Sequence, residues 1–196
     1  MQGRRCILPG ASLAFVYACD PENSLLLLGW EGHETRVSVP LRLPFAPEVY
    51  ARDPRAWVPP DCLPPGSPHQ QRVWHALTRI PAGETRTYGQ IARAIGSSPQ
   101  AVGQACRANP WPLFIPCHRV LPAGAAPDRG SAGGYAGQVE GPLAAAKQAL
   151  LRHEANRQTE INGHFLQKGG IDPFPGASAC RCRTARTLEK QTFKKR

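Results

Sequence analysis

The alternation of apolar and polar positions changes character near residue 67. Before it, short apolar runs, LAFVYAC (13–19) and SLLLLGW (24–30), are separated by Pro, Gly and charged residues, and TRVSVPLRL (35–43) alternates in part. That pattern predicts a few β-strands. The stretch DPRAWVPPDCLPPGSP (53–68) holds six prolines, cannot sustain a helix, and reads as a linker. Beyond it the period becomes helical. Val73, Trp74, Leu77 and Ile80 predict a helix over QRVWHALTRI (71–80), closed by Pro81 and Gly83. Thr87 and Gln90 have the spacing of a capping box, and Tyr88, Ile91, Ala92 and Ile95 form the apolar face of a second helix ending at Gly96. Ser97 or Ser98 caps a third, with Pro99 in its first turn, that runs to Asn109 and Pro110. Two short helices joined around a glycine outline a helix-turn-helix, although any helical hairpin gives the same outline.

WPLFIPCHRVL (111–121) is an apolar strip interrupted by two prolines and a Cys-His-Arg, so it predicts a segment buried on at least one side. A Gly-rich loop follows, and Pro142 opens a last helix with Leu143, Ala146, Lys147, Leu150, Leu151 and Glu154 on one stripe. From Gln158 periodicity is lost. The expected organisation is therefore an N-terminal α/β unit with its linker over residues 1–66, a mainly helical unit over 67–157, and a basic tail over 158–196.

Composition narrows the classes. With 196 residues there is room for one ordinary domain or two small ones, and 24 Lys and Arg against 14 acids leave a charge of +10. That excess suits an anionic partner such as nucleic acid. The last 39 residues carry eight of the bases and three of the acids, half of the net charge. Seven cysteines, an odd number without regular spacing, argue against a disulfide framework and for a reducing, intracellular compartment, cytoplasm or nucleus. Pro9, Gly10 and Ser12 interrupt the apolar start, so a signal peptide is not expected, and no apolar run long enough to span a membrane occurs. Cys6, Cys19 and His33 lack the spacing of a zinc site, and Cys180 and Cys182 supply only two ligands, so no cofactor or metal is expected.

The chemistry concentrates at Cys117. A thiol is mostly protonated near neutrality and needs a base or a cation beside it to become a nucleophile; His118 and Arg119 follow it directly. An isolated Cys in an apolar strip is otherwise an inert small hydrophobe.

IPCHRV, placed after RANPWP and before GGYAG and AAAKQALLRHE, resembles the active-site region of the O6-alkylguanine-DNA alkyltransferases, or methylated-DNA–protein-cysteine methyltransferases. The likeness begins at RVWHALTRIPAGETRTYGQIARAIG and runs to Glu154. It implies an α+β protein: a small ribonuclease-H-like sheet domain followed by a mainly helical, winged-helix-like domain with the helix-turn-helix and the PCHRV strip. It also implies irreversible, single-turnover transfer of an alkyl group from O6 of guanine in double-stranded DNA to Cys117, by a monomer. His118, oriented by Glu154, would activate the thiol through a water. Tyr88 would meet the leaving base, and Asn109 would link the helix-turn-helix to the strip. Val120, Tyr135, Ala136, Lys147 and Pro112 would form the pocket. The carbonyls of Cys117 and Val120 would hold the exocyclic amine of guanine. Gln100, Ala101, Gly103, Arg107 and Arg119 would face DNA, with Ala105 and Ala108 among the small residues that let the backbone approach.

Three positions depart from the family pattern. Gln100 stands where an arginine usually fills the vacated base position, Ala136 replaces a serine beside the pocket tyrosine, and the loop from Val120 to Gly133 is longer. Two other readings fit part of the pattern. A noncatalytic lesion-binding protein of the same fold would lack the acceptor Cys, which is present, and a helix-turn-helix regulator would add a second DNA-reading unit that residues 1–66 do not supply.

Overall fold

The first four strands form an antiparallel meander, β1 (Gln2–Ile7), β2 (Ala14–Cys19), β3 (Leu25–Trp30) and β4 (His33–Arg36), paired in that order. This is a computed structural model, which describes residues 2–39, 41–125 and 132–156. The apolar runs make the strands because β-branched, aromatic and leucine side chains can bury one face of a pleated sheet. Phe15 and Tyr17 of β2 and Leu28 and Trp30 of β3 are buried, whereas a register shift at Ala18/Cys19 lets Leu26 turn outward. Gly29 is required where β3 meets β4: a Cβ there would lie 2.5 Å from the His33 carbonyl oxygen. Cys6 pairs opposite Phe15 and Cys19 opposite Gln2, so the two thiols lie at different levels of the sheet. Among the described residues no group of three or more His, Cys, Asp or Glu is placed to hold a metal. Nor is any helix of the described residues long and apolar enough to cross a membrane.

The Pro-rich stretch read as a linker is folded against the core. It follows a short helix, α1 (Pro47–Arg52), and contains a 3-10 turn at Pro54–Ala56. Trp57, Cys62 and Pro64 are buried, and the Trp57 indole donates to the Leu113 carbonyl at 2.9 Å. Proline suits such a strap because it presets φ and leaves no N–H to satisfy. Gly66 passes so close to Trp74 that a Cβ would lie 2.6 Å from the ring.

Helix α2 (Pro68–Leu77) starts three residues earlier than the apolar period suggests, because Ser67 and Gln70 form a reciprocal capping box. Helix α3 (Tyr88–Ile95) has the expected box between Thr87 and Gln90 and ends on Gly96 in the left-handed region, φ 63°. Helix α4 (Pro99–Arg107) is capped by Ser98 and stops short of Asn109. The Trp74 indole donates to the Ala105 carbonyl at 2.9 Å and ties α2 to α4. The strip 111–121 is buried on both sides, with Phe114 meeting Phe15 and Phe45 edge-on at 5.9 and 5.0 Å. One apolar core thus joins the sheet, the strip and the last helix, α5 (Pro142–Asn156). A short parallel pair, β5 (Arg86–Thr87) with β6 (Val120–Leu121), brings the start of α3 beside the end of the strip. The basic tail with Cys180 and Cys182, and part of the Gly-rich loop, lie outside the described residues.

Candidate active site

An inverse γ-turn at Pro116 (φ −81°, ψ 61°), closed by the Cys117 amide on the Ile115 carbonyl at 2.8 Å, aims Cys117 out of the strip. Residues Cys117–Arg119 continue as a single 3-10 turn. The Cys117 Sγ accepts a hydrogen bond from Asn109 Nδ2 at 3.1 Å. The same nitrogen donates to the Ile115 carbonyl at 2.9 Å, while Asn109 Oδ1 accepts from the Trp111 amide at 3.0 Å. Asn109, just past α4, therefore ties the end of that helix to the thiol.

His118 and Arg119 are wholly buried and converge on Glu154 of α5. His118 Nε2 lies 3.0 Å from Glu154 Oε1. Arg119 donates from Nε to Oε2 at 3.0 Å and from Nη2 to Oε1 at 2.8 Å, and its guanidinium lies 4.2 Å over the Trp57 ring. Arg119 is thus not a DNA contact: the fold uses its charge to neutralise a buried carboxylate. The Tyr50 hydroxyl donates to Oε1 at 2.6 Å, and the Gly83 amide to Oε2 at 3.0 Å. Burial on its own would raise the Glu154 pKa, but His118 and Arg119 together hold the carboxyl well below the usual carboxylate range. Burial lowers the His118 pKa despite Glu154, so the ring is neutral near pH 7. An ionised carboxylate at Nε2 requires the proton there, which leaves Nδ1 as the basic nitrogen. Nδ1 is buried and has no hydrogen-bond partner among the described residues.

Burial raises the Cys117 thiol, and the Asn109 hydrogen bond, the Lys147 charge and Tyr135 offset part of that rise. The resting thiol is therefore protonated, and it reacts as a nucleophile only once a base has taken its proton.

Cys117 lines a cavity of about 170 Å³ walled by Tyr88, Gly103, Cys106, Arg107 and the turn from Gly134 to Val139. Of the residues named for the pocket, Tyr135 and Ala136 line it, and Val120, Lys147 and Pro112 do not. Lys147 is buried behind the wall, donating to the Val120 carbonyl at 2.8 Å and the Gly134 carbonyl at 3.1 Å. The Val120 carbonyl is thus already engaged by an ammonium group, which holds the strip to the pocket turn. Gln100, Arg107 and Ala108 are exposed and Ala101 and Gly103 half-buried, but Ala105 faces the core beside Trp74. A Cβ on Gly103 would meet no atom within 4 Å, so that face of α4 is open. A larger opening of about 380 Å³, beside Arg4, Tyr17 and Leu43, shares no lining residue with the Cys117 cavity.

Sequence reasoning missed Tyr50, Trp57, Gly83 and Cys106. The first three act through contacts with residues far along the chain, for which no local pattern exists. Cys106 sits on the same helix as Gly103 and Arg107, and the i, i+3 spacing of Gly103 and Cys106 was the available signal.

These titrations set a stability window. His118 and Glu154 have depressed pKa values in the fold, so their contributions are complete above their unfolded values and are lost as pH falls, from about 6.5 for the imidazole. Cys117 and Cys106 are raised, first of all by burial, so their contributions hold below about pH 8.5 and are lost as pH rises. Urea-unfolding midpoints under reducing conditions should accordingly be highest between about pH 6.5 and 8.5 and fall on both sides. A midpoint that keeps rising past pH 9 would contradict the assignment of buried neutral thiols.

The fold and site define an α+β protein built around a thiol backed by a His–Glu pair. A family model described as the 6-O-methylguanine DNA methyltransferase DNA binding domain matches residues 68–156. The crystal structure of Mycobacterium tuberculosis OGT in complex with DNA is 30% identical, with a TM-score of 0.52, over 79% of this chain and 93% of that one. The chain belongs to the methylated-DNA–protein-cysteine methyltransferase family. The constitutive enzyme of that name from Bacillus subtilis is 57% identical over 58 residues, 29% of this chain and 35% of its own length. The enzyme from Mycobacterium bovis is 45% identical over 94 residues, 47% of this chain and 51% of its own. The matched stretch thus spans from a third to half of the length of these curated relatives.

Proposed function

We propose that this protein repairs DNA by transferring the alkyl group of O6-alkylguanine to Cys117, irreversibly and once per molecule. The observation that carries the reading is the buried relay in which Glu154 holds His118 with Nδ1 free as a base, beside a thiol held by Asn109. The family membership and the names of the relatives support it.

In this reading the Cys117 proton passes through a water to His118 Nδ1, and the sulfur attacks the alkyl carbon in line. The S–C bond forms as the C–O6 bond breaks. Guanine departs with the electron pair and takes up a proton, and the Tyr88 hydroxyl at the cavity wall is the donor that meets the developing charge. Burial raises the Tyr88 pKa, which keeps it protonated for that role. The cavity lies inside the protein surface, so the target nucleotide is flipped out of the duplex to reach Sγ. Gln100 and Arg107 on the exposed side of α4, with the open face at Gly103, supply the DNA-facing surface.

The finer architecture belongs to the same reading. Residues 1–66 form a ribonuclease-H-like unit, supported by the antiparallel meander with a helix against it. Residues 67–157 form a winged-helix-like unit that carries the chemistry.

The test is intact-mass analysis after incubation with duplex DNA containing O6-methylguanine. One addition of about 14 Da per molecule is expected, mapping to the Cys117 peptide, with no second addition under excess DNA. Retained binding without an adduct would instead mark a noncatalytic lesion binder.

A further inference from the structure

Tyr50 lies on α1, within the N-terminal part of the chain, yet it grips two successive residues of α5. Its hydroxyl donates to Glu154 Oε1 at 2.6 Å, and its carbonyl accepts from His153 Nε2 at 2.8 Å. Its ring is wholly buried, tilted against Phe45 at 5.7 Å and edge-on to His153 at 5.4 Å. We propose that Tyr50 is a positioning residue for Cys117, its hydroxyl holding the Glu154 carboxylate in the orientation that fixes the His118 tautomer.

Glu154 Oε1 is oversubscribed. Tyr50, His118 Nε2 and Arg119 Nη2 all approach it, at 2.6, 3.0 and 2.8 Å, and the tyrosine hydrogen bond is the shortest. A carboxylate oxygen has two in-plane lone pairs, so a strong third donor draws electron density away from the other two. Tyr50 thereby does two things to His118. It keeps the carboxylate from rotating toward Arg119 alone, and it limits how strongly Glu154 stabilises an imidazolium. The charged and titratable groups acting on His118 are Glu154, Arg119 and Lys147. None of these changes in Tyr50→Phe, which keeps the ring packing and removes only the hydroxyl.

The readout is alkylation of Cys117 by iodoacetamide against pH, followed at the Cys117 peptide by mass spectrometry. This measures thiol activation without DNA, although the role in repair rests on the proposed alkyl transfer. In Tyr50→Phe the midpoint of the rise in rate should move up by about half a pH unit, because an unshared Glu154 raises the proton affinity of His118. The plateau rate of transfer from O6-methylguanine duplex should fall about fivefold, as the carboxylate loses an anchor. A merely structural role would lower the melting temperature and the fraction of molecules that react but leave the pH midpoint per reactive molecule in place, and that result overturns the proposal. A second measurement needs only wild-type protein: imidazole nitrogen shifts should show His118 protonated at Nε2 and bare at Nδ1. The opposite tautomer overturns the proposal even if Tyr50→Phe fails to fold. Loss of transfer from O6-methylguanine in wild type, with the iodoacetamide midpoint still shifted in Tyr50→Phe, would sink the repair function and leave Tyr50 in its role.

Discussion

Glu154→Gln should unfold at markedly lower urea than wild type, with a loss of about 3–5 kcal/mol, although the two side chains are nearly the same size. Five donor groups converge on the carboxylate: the Tyr50 hydroxyl, His118 Nε2, Arg119 Nε and Nη2, and the Gly83 amide. An amide offers one acceptor oxygen and turns two N–H donors toward groups that are themselves donors. Arg119, with no exposed surface, is left as a buried charge without its counterion. Removing one partner of a buried pair is far costlier than replacing both. The double substitution Glu154→Leu with Arg119→Leu should therefore recover part of the loss, but not all, since Tyr50, His118 and Gly83 still lack their acceptor. The remaining folded Glu154→Gln protein should alkylate at least about 100-fold more slowly, because His118 loses the group that sets its tautomer. A variant with stability within about 1 kcal/mol of wild type would mean that Arg119 finds another partner and that the pair is dispensable.

Asn109→Leu should slow reaction at Cys117 by about 10- to 100-fold while the protein remains folded. The Asn109 Nδ2 hydrogen bond to Sγ, 3.1 Å, strengthens as the thiol becomes a thiolate, and hydrogen bonds to charged groups are worth about 1.5–3 kcal/mol. Without it, burial acts on Cys117 with one fewer opposing interaction, and the thiol pKa rises further. The same substitution also removes one of the two donors to the Ile115 carbonyl and strips the Trp111 amide of its partner, so a stability loss of about 1–3 kcal/mol is expected beside the kinetic one. Quench-flow rates with O6-methylguanine duplex and with iodoacetamide separate the contributions. An equal fall with both reagents places the effect on the thiol. A fall with DNA alone would put Asn109 at the DNA interface instead.

The elements read most directly from the sequence are those stabilised within a few residues. The Thr87/Gln90 box, the Gly96 stop and the Ser98–Pro99 start are local, because a cap hydrogen bond spans three residues and needs nothing from elsewhere in the chain. Cys117 with His118 beside it was nameable from thiol chemistry, whereas Glu154 joined them only because its motif resembles a family. Spacing alone does not say that a histidine and a glutamate 36 residues apart share a proton relay. The prolines of residues 53–68 suggested a linker, since local reasoning sees a broken helix and not the burial of Trp57 against Leu113 and Arg119. Arg119 was placed at the DNA by the resemblance, and its burial against Glu154 and Trp57 reverses that.

What the sequence determined by itself is the apolar runs that become β2 and β3, the helices α2 to α5 with the caps of α3 and α4, and a cysteine with a histidine and an arginine beside it. What the tertiary structure decided is the state of that cysteine. It brings Tyr50 across 104 residues and Gly83 across 71 to one carboxylate, and that carboxylate fixes the His118 proton. The physical reason is burial: withdrawing Glu154, His118 and Arg119 from water makes each dependent on partners that sequence distance does not reveal.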